Sequence, residues 1–218
     1  MPQPIDWIYW EPQFERFLAE HAAAQDAAHD REHIRRVVHT ARRLAMAECA
    51  DLAVVVPAAW LHDCVVVPKD SPLRSQASAQ AARAAVGFLR GILYPEAYLA
   101  AIEHAIAAHS FSANLQPRTI EAQVVQDADR LDAIGAIGVA RCLMLGGALG
   151  RRLYDPAEPF PATREPDDRA YTIDHFYLKL LRLADSMTTA AGRAEAQRRT
   201  AFMQGFLDQL QSEIDGWG

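Results

Sequence analysis

The stretch Ala58-Ala59-Trp60-Leu61-His62-Asp63-Cys64-Val65 places a histidine and an aspartate side by side within an apolar run. An aspartate is almost never fully buried unless it is paired or binds a metal. A cation shared by both side chains would stabilise the pair in such surroundings. Two other segments supply further candidate ligands, one upstream from His29 to Val37 and one downstream from Gln126 to Ile134. We therefore predict that distant parts of the chain meet around one cation.

Composition and charge indicate an ordinary soluble globular protein. Of the 218 residues, 50% are hydrophobic and 23% are charged, which is typical of that class. The formal charge of -6 argues against a nucleic-acid partner, which would favour a basic face. No run approaches the roughly 18 apolar residues of a membrane-spanning helix, so we expect no membrane partner. Because no basic segment followed by an apolar stretch opens the chain, we expect no signal peptide and a cytoplasmic location.

The three cysteines also favour a reducing compartment. Cys49, Cys64 and Cys142 are odd in number and widely separated, and two of them lie in apolar helical contexts. We expect buried free thiols rather than disulfides.

Helix is predicted almost everywhere. Alanine is frequent and apolar residues recur at spacings of three and four, whereas alternating β-branched runs are nearly absent. The pattern predicts an all-α helical bundle that forms a single domain. The predicted helices run from about Glu11 to Ala24, from the cap Asp30 to Cys49, through the His62-Asp63 pair with Pro57 in the first turn, from Ser75 to Leu93, from Pro95 to His109, from the cap Thr119 to Asp129, and from Ile173 to Ile214.

Two features subdivide the predicted bundle. Residues 1–25 are interpreted as an N-terminal helical segment packed on the core, and residues 26–218 as the main domain, which ends in a helix. Gly146-Gly147 and Gly150 are expected to loosen the chain before a loop near 154–172. Because this loop is long and rich in proline and charge, it is a candidate lid.

Four residues form the candidate metal site: His33, His62, Asp63 and Asp129. Two imidazoles and two carboxylates suit Mn²⁺, which we favour, or Mg²⁺, Ni²⁺, Co²⁺, Fe²⁺ or Zn²⁺, and they do not resemble a structural thiolate zinc site. A six-coordinate ion with four protein ligands keeps two positions for water and a substrate oxygen. Such an ion can generate hydroxide near neutral pH and polarise a phosphoryl oxygen.

These residues and their flanking segments resemble a known family. The matching stretches are His29-Asp30-x-x-His33, Trp60-Leu61-His62-Asp63, Pro68-Lys69-Asp70, Ala105-Ile106-x-Ala108-His109-Ser110-Phe111-Ser112, Val125-Gln126-Asp127-Ala128-Asp129-Arg130-Leu131-Asp132-Ala133-Ile134-Gly135 and Ile173-Asp174-His175-Phe176. The chain resembles the HD-domain superfamily of metal-dependent phosphohydrolases and, more narrowly, the bacterial HD phosphohydrolases of the YedJ and YpgQ type. The resemblance extends from about Asp26 to the last helix, which makes residues 26–218 the expected HD domain.

The resemblance implies an activity as well as a fold. It implies one divalent ion held by His33, His62, Asp63 and Asp129, and hydrolysis of a phosphorylated small molecule, with nucleotides as the expected substrates. Members of the YpgQ type are associated with release of pyrophosphate from nucleoside triphosphates, so we expect a monophosphate and pyrophosphate as products. The expected assembly is a monomer or a homodimer.

The chain departs from the family pattern at Val66. Many HD enzymes have an acidic residue three positions after the pair, so the identity of the proton donor stays open. Lys69 is a candidate phosphate contact, and Asp70 is a candidate for positioning water or protonating the leaving group. Arg74 would add positive charge for substrate binding, and His29 would orient His33 or reach substrate. The alternatives are a solvated lysine, capping by Asp70 or His29, and an exposed arginine at a helix start.

Three further residues are candidates on helices. His104 and His109 are five residues apart and thus about 140° apart on a helix, at roughly 100° per residue. Both reach one ion only if the helix ends between them. We favour one ion, with His104 and His109 near the phosphates as proton donors or phosphate ligands; a dinuclear site is the alternative. Asp132 lies three residues after Asp129 on the same face and is a candidate for supporting this ligand and for contacting substrate.

Two other functions remain open on the sequence alone. A non-hydrolytic HD-fold protein that senses a nucleotide would keep the ion and would need no proton donor, in line with Val66. A di-iron HD-fold oxygenase would need the second metal. Metal-dependent phosphohydrolysis is the leading hypothesis.

Overall fold

The described part of the chain is built from α-helices. The structure, a computed structural model, describes residues 5–21, 31–65, 67, 71, 74–110 and 113–216. The helices are α1 (Trp7–His21), α2 (Arg31–Glu48), α3 (Leu52–Leu61), α4 (Ala77–Gly91), α5 (Glu96–His109), α6 (Ile120–Asp132), α7 (Gly135–Ala148), α8 (Asp174–Leu178) and α9 (Ala190–Ile214), with 3₁₀ helices at Arg74–Gln76 and Leu180–Ser186. Within these ranges the only β-type pairing is an isolated bridge between Arg152 and Tyr171. The predicted all-α fold class is confirmed.

The helices fall into two compact units, Met1–Asp129 and Arg130–Gly218. The division predicted between residues 25 and 26 lies outside the described residues and stays a prediction. α4 and α5 match their predicted bounds within two residues. The predicted start of the first helix at Glu11 is wrong, because α1 begins four residues earlier, at Trp7. Asp6 caps this helix start by accepting a hydrogen bond from the Ile8 amide at 3.0 Å.

α3 is the buried centre of the first unit. Every residue from Ala53 to Leu61 is buried, as expected for a helix that is apolar on all sides. The helix begins at Leu52, where the Asp51 carboxylate accepts a hydrogen bond from the Ala53 amide at 2.8 Å. Pro57 therefore lies in the helix interior, and its predicted place in the first turn is wrong.

A tyrosine compensates for this interior proline. Pro57 has no amide hydrogen, so the carbonyl of Ala53, four residues earlier, has no donor within the helix. The Tyr94 hydroxyl donates to that carbonyl at 2.7 Å, and both residues are buried. A buried carbonyl that would otherwise lack a donor is thereby satisfied.

α1 packs on the first unit through aromatic side chains. The rings of Phe17 and Phe88 stack at 4.0 Å between centroids, and Trp10 meets Tyr94 edge to face at 4.9 Å. Trp60 in α3 donates its indole N–H to the Glu11 carboxylate at 2.7 Å. These contacts fix the side of α3 that faces α1.

In the second unit, Gly146 is required by packing. A Cβ on Gly146 would lie 2.2 Å from the hydroxyl oxygen of Thr172. α7 continues through both Gly146 and Gly147 to Ala148, so the prediction that these two glycines loosen the chain is wrong. The helix does end before Gly150, whose φ is +66°, as predicted for that glycine. Gly146 allows a close approach between α7 and the segment that carries Thr172.

The loop near 154–172 is held by ion pairs. Arg164 donates from two nitrogens to the buried Asp174 carboxylate at 2.5 and 2.7 Å, and the Asp167 amide donates to the same carboxylate at 2.6 Å. The Glu158 carboxylate accepts hydrogen bonds from the amides of Ala162 and Thr163. The lid role of this loop stays a prediction. The predicted continuous C-terminal helix is instead divided into α8, a 3₁₀ helix and α9.

In the ranges described above, no single helix is long and apolar enough to cross a membrane, and α6 and α7 meet the criterion only when taken together as a bent pair. Buried core helices meet the same criterion.

All three cysteines are free thiols. Cys64 is buried, Cys142 is half-buried and Cys49 is exposed. The prediction of burial is therefore confirmed for Cys64 and wrong for Cys49.

Candidate metal centre

Four of the five polar side chains at the candidate centre lie at or near the carboxyl ends of helices. His62 and Asp63 directly follow α3, His109 is the last residue of α5, and Asp129 lies in the last turn of α6. The fifth, His33, is in the first turn of α2. The carboxyl end of a helix carries partial negative charge, which favours a nearby cation.

The structure brings the four predicted ligands together. The Nε2 atom of His33 lies 3.4 Å from Oδ1 of Asp129, and Nε2 of His62 lies 3.8 Å from the same oxygen. His62 Nε2 is also 3.5 Å from Oδ2 of Asp63. The three segments that the sequence pattern marked as ligand donors therefore converge at one place.

His109 joins this cluster. Its Nε2 atom lies 3.5 Å from Oδ1 of Asp63, and its ring centroid is 5.0 Å from that of His62. The donor atoms form two sets, His33 with His62 and Asp129, and His62 with Asp63 and His109, and within each set all atoms lie within 4.8 Å of one another.

Backbone carbonyls fix the protonation of two of these rings. His62 Nδ1 lies 2.8 Å from the Ala59 carbonyl oxygen, and His109 Nδ1 lies 2.6 Å from the Ile106 carbonyl oxygen. A carbonyl oxygen only accepts, so each Nδ1 carries the hydrogen and each neutral ring presents an Nε2 lone pair to the cluster.

The arrangement fits a divalent cation. Nε2 of His62 is buried and makes no hydrogen bond to any described residue, although carboxylate oxygens lie 3.5 and 3.8 Å away. A nitrogen lone pair and a carboxylate facing each other repel unless a proton or a cation lies between them. Imidazole nitrogen and carboxylate oxygen are together suited to first-row divalent ions.

The electrostatics give two ligands the protonation state that a cation requires. Burial lowers the pKa of His62, which keeps its ring neutral at pH 7. Burial alone would raise the pKa of Asp129, but the His33 hydrogen bond and the nearby imidazoles outweigh it and lower this pKa to about 2. His109 differs: burial acts to lower its pKa, and the Asp63 carboxylate outweighs burial and raises it.

Two predicted site residues have other partners. His104 Nε2 accepts a hydrogen bond from the Arg118 amide at 3.0 Å, and His104 belongs to neither donor set. Asp132 accepts a hydrogen bond from Arg141 at 2.7 Å, which gives its carboxylate a partner other than the predicted ligand Asp129. Catalysis by His104 and substrate binding by Asp132 stay predictions, and these contacts argue against both.

His29, Lys69 and Asp70 lie outside the described residues, as does Val66. Arg74 begins the 3₁₀ helix Arg74–Gln76. The roles predicted for all of them stay predictions.

Gln126 is a positioning residue that the sequence analysis missed. It is buried, and its side-chain amide donates to the Ala108 carbonyl at 2.7 Å. This bond ties α6, which carries Asp129, to the end of α5, which carries His109. The signal in the sequence was a polar residue three positions before a predicted ligand on a helix.

The comparisons with known proteins agree with this geometry. The family model "HD domain" matches residues 31–134, a range that contains all five side chains of the cluster. Together with 36% identity to the Bacillus subtilis relative YpgQ over 88% of this chain, this match shows that the chain belongs to the HD-domain superfamily of hydrolases.

Its similarity to particular members extends over most of its length. It is 36% identical to YpgQ of Bacillus subtilis (strain 168) over 196 residues, which cover 88% of this chain and 87% of that protein. A solved structure of an HD-superfamily hydrolase from Bacillus thuringiensis matches with a TM-score of 0.71 and 32% identity, covering 94% of this chain and 98% of that one. The structure of B. subtilis YpgQ in complex with ADP matches with a TM-score of 0.68 and 33% identity, covering 94% and 100%. The predicted resemblance to the YpgQ-type HD proteins is confirmed.

Proposed function

We propose that the protein is a divalent-metal-dependent phosphohydrolase that acts on nucleotides, with Mn²⁺ as the favoured ion. The observation that carries the proposal is the meeting of His33, His62, Asp63 and Asp129 at one point. Chance placement of two carboxylates against buried imidazole lone pairs would be costly without a cation. The membership in the HD superfamily supports the hydrolytic class.

In this proposal the ion binds side chains that are already in the protonation state needed for metal binding. Asp129 is ionised and His62 is neutral at pH 7, for the reasons given above. A bound divalent ion supplies Lewis acidity toward a phosphoryl oxygen and lowers the pKa of a coordinated water. Lys69 is proposed to contact the substrate phosphates, and Asp70 to position the attacking water or protonate the leaving group.

The nucleotide part of the proposal rests on a relative. B. subtilis YpgQ was solved in complex with ADP, and it covers nearly all of this chain at 33% identity. We therefore propose a nucleoside triphosphate as substrate, with hydrolysis to the monophosphate and pyrophosphate. The enzyme is proposed to act on a small molecule, as a monomer or homodimer.

The test is hydrolysis by purified protein that has been stripped of metal and reloaded with Mn²⁺. Ribonucleoside and deoxyribonucleoside triphosphates are supplied, and ³¹P NMR separates pyrophosphate from inorganic phosphate. Asp63→Asn is the test variant. Asp185→Asn is the matched control, because Asp185 is an exposed aspartate that belongs to neither donor set.

We expect pyrophosphate release by the wild type and by the control. In Asp63→Asn the rate of hydrolysis should fall by more than about 100-fold, because replacing a residue that only supports a metal ligand already lowers activity by about 10–100-fold. Release of inorganic phosphate instead would refute the predicted cleavage site. Undiminished turnover by Asp63→Asn would refute the metal-dependent mechanism. Tight nucleotide binding without turnover by the wild type would replace the proposal with the sensor hypothesis.

A further inference from the structure

The two donor sets at the centre share one atom. His62 belongs to both, and in each set it contributes the same nitrogen, because Nδ1 is hydrogen-bonded to the Ala59 carbonyl. An imidazole Nε2 has a single lone pair and binds one metal ion. If both sets bind metal, they must therefore bind the same ion.

The His109 ring is oriented in the same way as that of His62. Both rings donate Nδ1–H to the carbonyl three residues earlier, at 2.8 Å for His62 and 2.6 Å for His109. Both rings are buried and turn Nε2 toward Asp63, at 3.5 Å in each case. Adjacent ligands on an octahedral ion with bonds of about 2.1 Å lie roughly 3.0 Å apart. The observed 3.5 Å separations are about 0.5 Å longer. The donor atoms of the two sets do not all lie within 4.8 Å of one another. Binding of one ion by both sets therefore requires the donors to move closer together.

The geometry points to His109 as a fifth protein ligand of one divalent ion, bound through Nε2 beside His33, His62, Asp63 and Asp129. This inference rests on the metal site of the proposed function and extends it. A second ion would have only Asp63 and His109 as ligands among the described residues, too few for a protein site of this kind. The described residues therefore provide for one ion.

A fifth protein ligand changes what else the ion can bind. A six-coordinate ion with five protein donors retains one position, whereas the four-ligand prediction leaves two. Substrate oxygen and attacking water then compete for that position. Whichever of the two is not bound to the ion, the substrate oxygen or the water, must then be positioned by protein side chains.

The first test compares Mn²⁺ binding to His109→Ala and His104→Ala by isothermal titration calorimetry. The two histidines lie on the same helix, and only His109 is in a donor set. We expect one ion per chain in the wild type, an affinity at least about 10-fold lower in His109→Ala, and an affinity within twofold of wild type in His104→Ala. Relaxation of water protons by bound Mn²⁺ should indicate one coordinated water in the wild type and two in His109→Ala.

A second measurement uses only the wild type, in case His109→Ala does not fold. Two-bond ¹H–¹⁵N correlation spectra report each imidazole nitrogen, and Zn²⁺ serves as a diamagnetic probe. Three rings should show a changed Nε2 signal on metal binding, namely His33, His62 and His109. Changes in two rings only, two ions per chain, or an unchanged affinity in His109→Ala would each overturn the ligand role of His109 and leave the proposed function intact. Absence of metal binding by the wild type would overturn both.

Discussion

The interior proline of α3 leads to a prediction about stability. The Ala53 carbonyl depends on the Tyr94 hydroxyl, because Pro57 removes the amide hydrogen that would otherwise reach it. Tyr94→Phe keeps the ring and its packing but leaves a buried carbonyl without a donor. The cost of an unsatisfied buried group is about 1–3 kcal/mol, so we expect Tyr94→Phe to lower the free energy of unfolding by this amount.

A double-mutant cycle isolates the interaction. Pro57→Ala restores an amide hydrogen at position 57, which can donate to the Ala53 carbonyl as in an ordinary helix. In that background the Tyr94 hydroxyl is no longer the sole donor, so Tyr94→Phe should cost at least about 1 kcal/mol less than in the wild type. The cycle removes the other effects of Pro57→Ala, such as the greater freedom of the unfolded chain.

Urea denaturation gives the four free energies of unfolding, provided that the slope m is the same for all variants. Tyr98→Phe is the matched control, since it removes the same atom from a neighbouring ring, 6.2 Å from that of Tyr94. We expect a change within about 0.5 kcal/mol for the control. Equal costs of Tyr94→Phe in the wild-type and Pro57→Ala backgrounds would refute the reasoning.

Three further predictions follow from other contacts. Gly146→Ala should lower the free energy of unfolding by about 1–3 kcal/mol, because its Cβ would clash with the hydroxyl of Thr172. Gly147→Ala has open space around its Cβ and should raise the free energy of unfolding by up to about 1 kcal/mol. Urea denaturation measures both changes. Hydrogen bonds from Thr163 lower the pKa of Glu158 to about 2. The ionised Glu158 carboxylate therefore stabilises the fold above about pH 4.5, and this stabilisation is lost as the pH falls toward 2. In Glu158→Gln the melting temperature should depend less on pH over this range than it does in the wild type. Mn²⁺ at 100 times its dissociation constant should stabilise the fold by about 2.7 kcal/mol, and EDTA or His62→Ala should abolish this gain in thermal melts.

The sequence predicted most of the centre because its ligands interrupt apolar runs. His62 and Asp63 are conspicuous between Leu61 and Cys64. Within each segment, the spacing of residues indicates which side chains lie on the same face of the helix. Asp129 was recognisable only together with the other segments and the family resemblance. That these segments meet at one point depends on packing between helices, which no local pattern specifies.

The wrong predictions concern contacts between distant residues. The prediction for Pro57 used the preference of proline for the first turn of a helix, which depends only on that helix. At Pro57 the compensating donor lies 41 residues beyond the freed carbonyl. Gly146 was likewise interpreted as a local break, and its reason is the approach of Thr172 in another segment. In both cases long-range packing overrides a local preference.

The proposed histidine ligands show why helix ends suit such a centre. The last carbonyls of a helix have no donor within it, and Ala59 and Ile106 lie in the last turns of α3 and α5. His62 and His109 each donate Nδ1–H to one of these carbonyls, and this bond directs Nε2 away from the helix with its lone pair available. One hydrogen bond therefore satisfies the helix end and fixes the tautomer of the ligand. The spacing between His104 and His109 pointed to their separation on a helix and missed the role of His109, which depends on where α5 ends.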